Sequence, residues 1–139
     1  MRLYDVNGRL VKKNITRFLI KWDGPSRSMI QYKTKQFLKP FWYGMICYEE
    51  APCFGSLLKV DILNATLRIA VEVNGKQHES FNSFFHKGNP ANYLKGIKND
   101  EKKLIWLRKN NFKLIEIMEN EVPMLSTAFF KEKFGIALN

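Results

Sequence analysis

Apolar residues recur along this chain with two different periods. Leu67, Ile69, Val71 and Val73 fall at every second position, the alternation expected of a strand. The run KVDIL just before it, closed by Asn64-Ala65, reads as its hairpin partner, so GSLLKVDILNATLRIAVEV predicts two strands around a turn. In GPSRSMIQYKTKQFLKPFW the spacing changes to Ile30, Phe37, Leu38 and Phe41, one stripe of a helix. Ser28 with Gln31 matches an S-x-x-Q capping box at its start, and Pro40 is expected to end or kink it. Tyr93, Ile97, Leu104 and Leu107 mark a second helix over residues 93 to 110, and FKLIEIM a closing strand. Upstream, YDVNGRLV carries Asn7-Gly8 between strand-like flanks, the signal of a tight hairpin, and RFLIKW continues with strand character. With a short helix at the C-terminus, the order β-hairpin, α, β, β, α, β predicts an α+β class.

At 139 residues, 45% of them hydrophobic, the chain suits one domain with one core. We divide it into a basic β extension (1 to 25), a core (26 to 122) and a helical tail (123 to 139). Lys39 and Pro40 interrupt the most apolar region, and MRLYDVNGRL has no signal-peptide core, so neither a membrane span nor export is expected. Cys47 and Cys53 read as reduced, buried thiols. With His78 and His86 they give C-x5-C and H-x7-H, which are not zinc spacings.

The net charge of +10 is uneven. Residues 1 to 40 hold ten Lys/Arg against Asp5 and Asp23, a balance of +8, and the rest of the chain holds +2. Clustered cations displace counterions from a phosphate backbone, so the N-terminal unit reads as a nucleic-acid footprint, with a merely solvated basic surface as the bland alternative. Arg2, Arg9, Lys12, Lys13 and Arg17, with Arg27 further on, are the candidate DNA contacts.

Acids on buried elements are the candidate chemistry. Asp61 interrupts the apolar run LLKVDIL, Glu72 sits inside the next strand, and VNGKQH places Lys76 and His78 just beyond it. Asp100 falls between Ile97 and Leu104 on the expected core-facing stripe of the second helix, where a carboxylate needs a partner or a task; the bland reading shifts the stripe and leaves it wet. Two acids on neighbouring strands suit a hard divalent cation. A turn at residues 64 to 66 would set Asp61 opposite Ile69 and leave Glu72 roughly 10 Å further along, a gap for twist or a bulge to close.

KVDIL, VEVNGKQH and IKNDEKKLIWLRKNNFKLIEI together resemble the PD-(D/E)XK nuclease superfamily. The likeness is to the branch with very-short-patch-repair-like endonucleases and the phage homing endonucleases that carry an EDxHD motif. It covers residues 26 to 122 and implies a restriction-endonuclease-like core. By resemblance Asp61 and Glu72 hold Mg²⁺, with Mn²⁺ as a substitute, while His78 and Asp100 match the His and final Asp. Two positions depart from the pattern: Asn74 stands where E-x-K has lysine, leaving Lys76 as the nearest, and Gln31 best matches a leading Glu. The resemblance therefore implies a metal-dependent endonuclease of double-stranded DNA, of the free-standing homing type, acting in the cytoplasm (the host's, if phage-encoded), singly or as a homo-oligomer. Mismatch- or junction-directed nicking and a catalytically silent DNA-binding module are the alternatives.

Overall fold

The computed structural model describes residues 1–74 and 90–139, with the backbone alone for 90–97. Its centre is a four-stranded sheet in the order β3-β4-β5-β6. Strand β4 (Lys59–Asn64) runs antiparallel to both its neighbours, β3 (Cys47–Pro52) and β5 (Ile69–Asn74), and β6 (Lys113–Met118) lies parallel to β5. A parallel neighbour needs a crossover, and the long helix α2 (Pro90–Lys109) lies in that connection. Helix α1 (Met29–Trp42) and the short α3 (Thr127–Phe134) complete the main elements.

The sheet is covered on both sides. Leu38 and Trp42 of α1 and Phe130 of α3 pack with Ile62, Val71, Ile115 and Ile117. On the other side Trp106 and Leu107 of α2 pack with Leu63, Ala70 and Phe112. Strand β5, in the interior of the sheet, is buried from Ile69 through Val73, Glu72 included, as a strand sandwiched between two layers must be. Mixed α and β elements of this kind agree with the α+β expectation at the level of class.

Two expectations about local structure are corrected. The connection from β4 to β5 spans residues 65–68: Asn64 Oδ1 accepts the Leu67 N–H at 2.8 Å and Arg68 takes φ 59°. Asn64 itself pairs with Ile69, and the register continues through Leu63↔Ala70 and Ile62↔Val71. The next step along sets Asp61 opposite Glu72, so no gap needs closing. RFLIKW is not a strand. The side chain of Asn14 accepts both the N–H and the hydroxyl of Thr16, a local bond that competes with ladder formation; Thr16–Phe18 is a 3-10 turn, and only Leu19 bridges β3, at Tyr48. Strand β3 itself was not anticipated, because two acids in CYEEAP hide its buried positions.

Pro40 does not end α1, which runs on to Trp42. Pro40 cannot donate to the Gln36 carbonyl, and the helix runs only two residues beyond it. At the other end Ser28 Oγ accepts the Gln31 N–H at 3.2 Å, one half of the expected capping box. The Gln31 side chain turns inward instead.

The N-terminal hairpin exists, between β1 (Arg2–Tyr4) and β2 (Leu10–Lys12). Its loop covers residues 5–9, where Asp5 Oδ1 accepts the N–H groups of Asn7 and Arg9 and Gly8 takes φ +85°. The hairpin is not a detachable arm. Leu3, Ile15 and Trp22 are buried in the two cores, and Tyr4 is clasped by α2: its N–H donates to Asn110 Oδ1, and its carbonyl accepts from Trp106 Nε1 at 2.7 Å and Asn110 Nδ2 at 3.1 Å. Cys47 and Cys53 are buried and unbridged, and burial pushes both thiols up to about 12.

Candidate active site

One level of the sheet carries an acid on every strand. Glu72 pairs with Glu116, the β4–β5 register places Asp61 opposite Glu72, and Glu49↔Ile62 followed by Ala51↔Val60 places Glu50 opposite Asp61. Like charges directly opposite one another are unfavourable, so such a row calls for counter-charge or for a ligand. Glu50 adopts φ 53°, a left-handed backbone in a residue that is not glycine, and strain of this sort concentrates at functional positions.

Asp61 and Glu72 are 5% and 9% exposed. Each takes a backbone N–H from the other's strand: Val73 N–H donates to Asp61 Oδ2 at 2.8 Å, and Asp61 N–H donates to Glu72 Oε2 at 3.0 Å. The exchange replaces ladder bonds by carboxylate bonds and holds both side chains rigidly at the strand ends. Burial, with the neighbouring Glu72 charge added, pushes the Asp61 carboxyl up to about 7. Lys103 of α2 donates to Glu72 Oε1. Burial works against the charge on Lys103, but the Glu72 carboxylate outweighs it and raises the ammonium above its ordinary value. The pair is a buried charge relieved by one fixed cation.

The first turn of α1 and the loop before it supply the other wall. Arg27 Nη2 stands 3.5 Å from Asp61 Oδ1 and its Nε 3.9 Å from Glu50 Oε1, with 64% of the side chain exposed. Gln31, fully buried, donates from Nε2 to Glu49 Oε2 at 2.9 Å and to Glu50 Oε2 at 3.5 Å. Its own Oε1 is buried and has no hydrogen-bond donor among the described residues. Lys35, with no exposed surface, donates to Glu49 Oε1 at 3.0 Å and to the carbonyls of Lys21 and Gly24 at 3.0 and 2.8 Å. Ser26 Oγ donates to Glu49 Oε2 at 2.6 Å. Glu49 is thus saturated by structural partners, while Glu50 has only long contacts.

Of the expected site residues, Asp61 and Glu72 come together, Arg27 stands beside Asp61, and Gln31 reaches Glu49 and Glu50 instead. Lys76 and His78 lie outside the described residues, as do His86 and the aromatic loop. Asp100 is exposed rather than core-facing. The inward face of α2 runs through Lys103, Trp106, Leu107 and Asn110, at steps of three and four. A stripe drawn through apolar residues passes over Lys103, the partner of Glu72 that sequence reasoning missed. The signal available was its place three residues before Trp106 and four before Leu107. Arg2, Arg9, Lys12, Lys13 and Arg17 are all exposed. Arg2 and Lys12 face each other across the hairpin.

Beside Arg27 opens a cleft of about 300 Å³, lined among others by Arg17, Phe18, Lys21, Ser26, Arg27 and Glu50. A larger cavity of about 470 Å³, lined by Ile30, Phe37 and Val122 among others, touches none of the paired acids. Among the described residues no set of three His, Cys, Asp or Glu is arranged to hold a metal ion, and no helix is long and apolar enough to cross a membrane.

Among known proteins, the chain is similar to uncharacterized protein 033L of Invertebrate iridescent virus 3. The two are 36% identical over 81 residues, 58% of this chain, and the matched part spans 41% of the viral protein. No family model matches, and no solved structure matches.

Proposed function

We propose that this protein is a metal-dependent endonuclease of double-stranded DNA built on a restriction-endonuclease-like core, with Asp61, Glu72 and Lys103 at its centre. The observation that carries the reading is the opposed Asp61–Glu72 pair, two buried carboxylates fixed by each other's backbone and approached by one lysine from α2. A purely structural pair would be cheaper as apolar residues. Together with the resemblance to PD-(D/E)XK nucleases, this arrangement supports cleavage of phosphodiesters over an ornamental acid cluster.

The donor set fits a hard cation. Mg²⁺ needs only one or two carboxylates and keeps several waters, and Asp61 and Glu72 supply two. A divalent ion held by Asp61 and Glu72 supplies a Lewis acid and a water of lowered pKa. The chain's own part is to place charge. Lys103 takes the role expected of the E-x-K lysine, since Asn74 cannot: it fixes Glu72 and offers an ammonium to the charge that grows on the phosphate. In the hydrolysis the water oxygen bonds to phosphorus, the bond to the leaving sugar oxygen breaks, and the water's proton is transferred away. His78 or Lys76 is the group proposed to handle that proton. Asp100, on the exposed surface of α2, stands outside the buried pair. The exposed cations of the hairpin suit phosphate contacts along the duplex, and a homing-type nuclease acting in the cytoplasm is the form this reading takes.

A second reading rests on two residues. Gln31 and Asn74 both replace groups that a cutting site would use, which favours a silent DNA-binding module. Incubating supercoiled plasmid with the protein in Mg²⁺, in EDTA, and with Asp61→Asn separates them. Nicks or breaks that need Mg²⁺ and Asp61 support the nuclease; duplex binding with intact plasmid in every arm supports the silent module.

A further inference from the structure

We infer that Arg27 and a divalent cation compete for Asp61 Oδ1, so that cation binding frees Arg27 to complete a phosphate-binding subsite in the neighbouring cleft. The inference rests on the proposed cation site and adds a residue and a coupling to it.

The partners of the four carboxylate oxygens decide the first half. Asp61 Oδ2 takes the Val73 N–H, Glu72 Oε2 takes the Asp61 N–H, and Glu72 Oε1 takes Lys103. These donors are backbone groups and a largely buried lysine, held by the sheet and by α2. Asp61 Oδ1 differs: among the described residues its partner is the Arg27 guanidinium, at 3.5 Å. That distance and the 3.9 Å to Glu50 are too long for the strong bidentate contact arginine makes with carboxylates. Arg27 is also the most exposed member of the site, at 64%. An incoming cation therefore meets one replaceable neighbour at Asp61 Oδ1, and the two positive charges repel there, while at Glu72 it would use a lone pair beside the donors already in place.

The second half follows from where Arg27 can go. It lines the cleft that also holds Arg17 and Lys21, with Glu49 and Glu50 in the same lining; Glu49 is already neutralised by Lys35, Ser26 and Gln31. Arg17 already lies over the Phe18 ring, 4.8 Å from its centroid, and the buried Lys35 fixes the Lys21 and Gly24 carbonyls that lead into Arg27. A released guanidinium beside Arg17 and Lys21 makes a three-cation cluster next to the acid pair. The ligand this chemistry fits is a phosphodiester flanking the one at Asp61. In the resting protein Arg27 lines the cleft but also faces Asp61 and Glu50, so its charge is divided between the acids and the subsite. A cation bound at Asp61 therefore raises affinity for nucleic acid by more than its own charge accounts for.

Two titrations on the full chain test this. Calorimetry with Mn²⁺ alone, on the native protein, Asp61→Asn and Arg27→Ala, measures the competition; fluorescence anisotropy of a random 30-base-pair duplex, with Ca²⁺ or EDTA, measures the coupling without relying on cleavage. Arg27→Ala is expected to bind Mn²⁺ several-fold more tightly than the native chain, and Asp61→Asn to lose binding. Ca²⁺ should tighten duplex binding to the native protein, and this gain should shrink sharply in Arg27→Ala while Arg27→Lys keeps part of it. Native protein that binds Mn²⁺ through Asp61, but no more weakly than Arg27→Ala, overturns the competition and leaves the cation site standing. Absence of Mn²⁺ binding in both the native chain and Arg27→Ala overturns both. An equal Ca²⁺ gain in the native protein and Arg27→Ala overturns the subsite.

Discussion

Asp61 and Glu72 face each other from adjacent antiparallel strands, each accepting a backbone N–H that belongs to the other's strand. The geometry that suits them to hold a cation also makes them a burden on the fold without one, and this gives the first prediction.

Asp61 has an ordinary value of 3.8 and is pushed up to about 7 in the folded chain, by burial first and by Glu72 second. Between those values the folded protein holds a proton that the unfolded chain gives up. Its contribution to stability is therefore fully present below about pH 4, falls as pH rises, and is lost above about 7. Asp61→Asn removes the burden, so it should raise Tm in EDTA by about 5 °C at pH 8 and by clearly less at pH 5. A Tm difference that does not change with pH would show that Asp61 is not the group that titrates.

Lys103 is predicted to matter for cutting and not only for folding. Lys103→Met should lower the single-turnover cleavage rate by about 10²-fold or more, the usual loss when a fixed electrostatic group is removed, with duplex affinity little changed. The variant leaves Glu72 without its cation, so the folded fraction is measured in parallel by thermal melting. Lys103→Arg, which keeps the charge, should recover part of the rate; recovery of folding without any recovery of rate would assign Lys103 a structural task alone.

How much of this was legible in the sequence varies with the kind of signal. Alternation marked β4 and β5, and three- and four-residue spacing marked α1 and α2. Asp61 and Glu72 stood out because a carboxylate inside an apolar run is costly to bury unless it has a partner or a ligand. Lys103 did not, since a search for apolar stripes discards lysines, although a lysine stem packs well on an inward face. Asp100 was misplaced by the same device: one step of the helix moves a residue from core to water. The register was missed because a link of four residues and one of three look alike until Arg68 is seen in the left-handed region. RFLIKW had the composition of a strand, and the side chain of Asn14, just upstream, decided otherwise.

The buried Lys35 gives a stability prediction. Its ammonium is the donor for Glu49 and for two loop carbonyls, and removing one partner of a buried pair costs about 3–5 kcal/mol. Lys35→Met should lower stability in urea by about that amount. Cation binding at Asp61, measured at a temperature where the variant is still folded, should persist. A loss under about 1 kcal/mol would mean that water replaces the ammonium.

Salt dependence tests the hairpin without dismantling it. Deleting residues 1 to 22 would remove Leu3, Ile15 and Trp22 from the cores, so a truncated chain would report misfolding. Arg2→Ala with Lys12→Ala leaves the core intact, because both side chains are exposed on one hairpin face. If both touch phosphate, the slope of log K against log salt should fall by about 1.8 in magnitude. An unchanged slope would leave these two cations to solvent.

The clasp on Tyr4 has a consequence for the order in which the molecule is put together. Its hydrogen bonds to Asn110 span 106 positions of the chain, so the hairpin, made early during synthesis, can meet Phe54 through the Val6 N–H but cannot close the clasp until α2 has been completed. Contacts of such range are closed late, after the loop entropy between them has been reduced by local structure. Residues 1 to 12 therefore wait as a short two-stranded ribbon, marginal by itself in water, while the sheet assembles behind them. The three cations of that ribbon, Arg2, Arg9 and Lys12, are then held in their final places only when the far end of the chain closes over Tyr4.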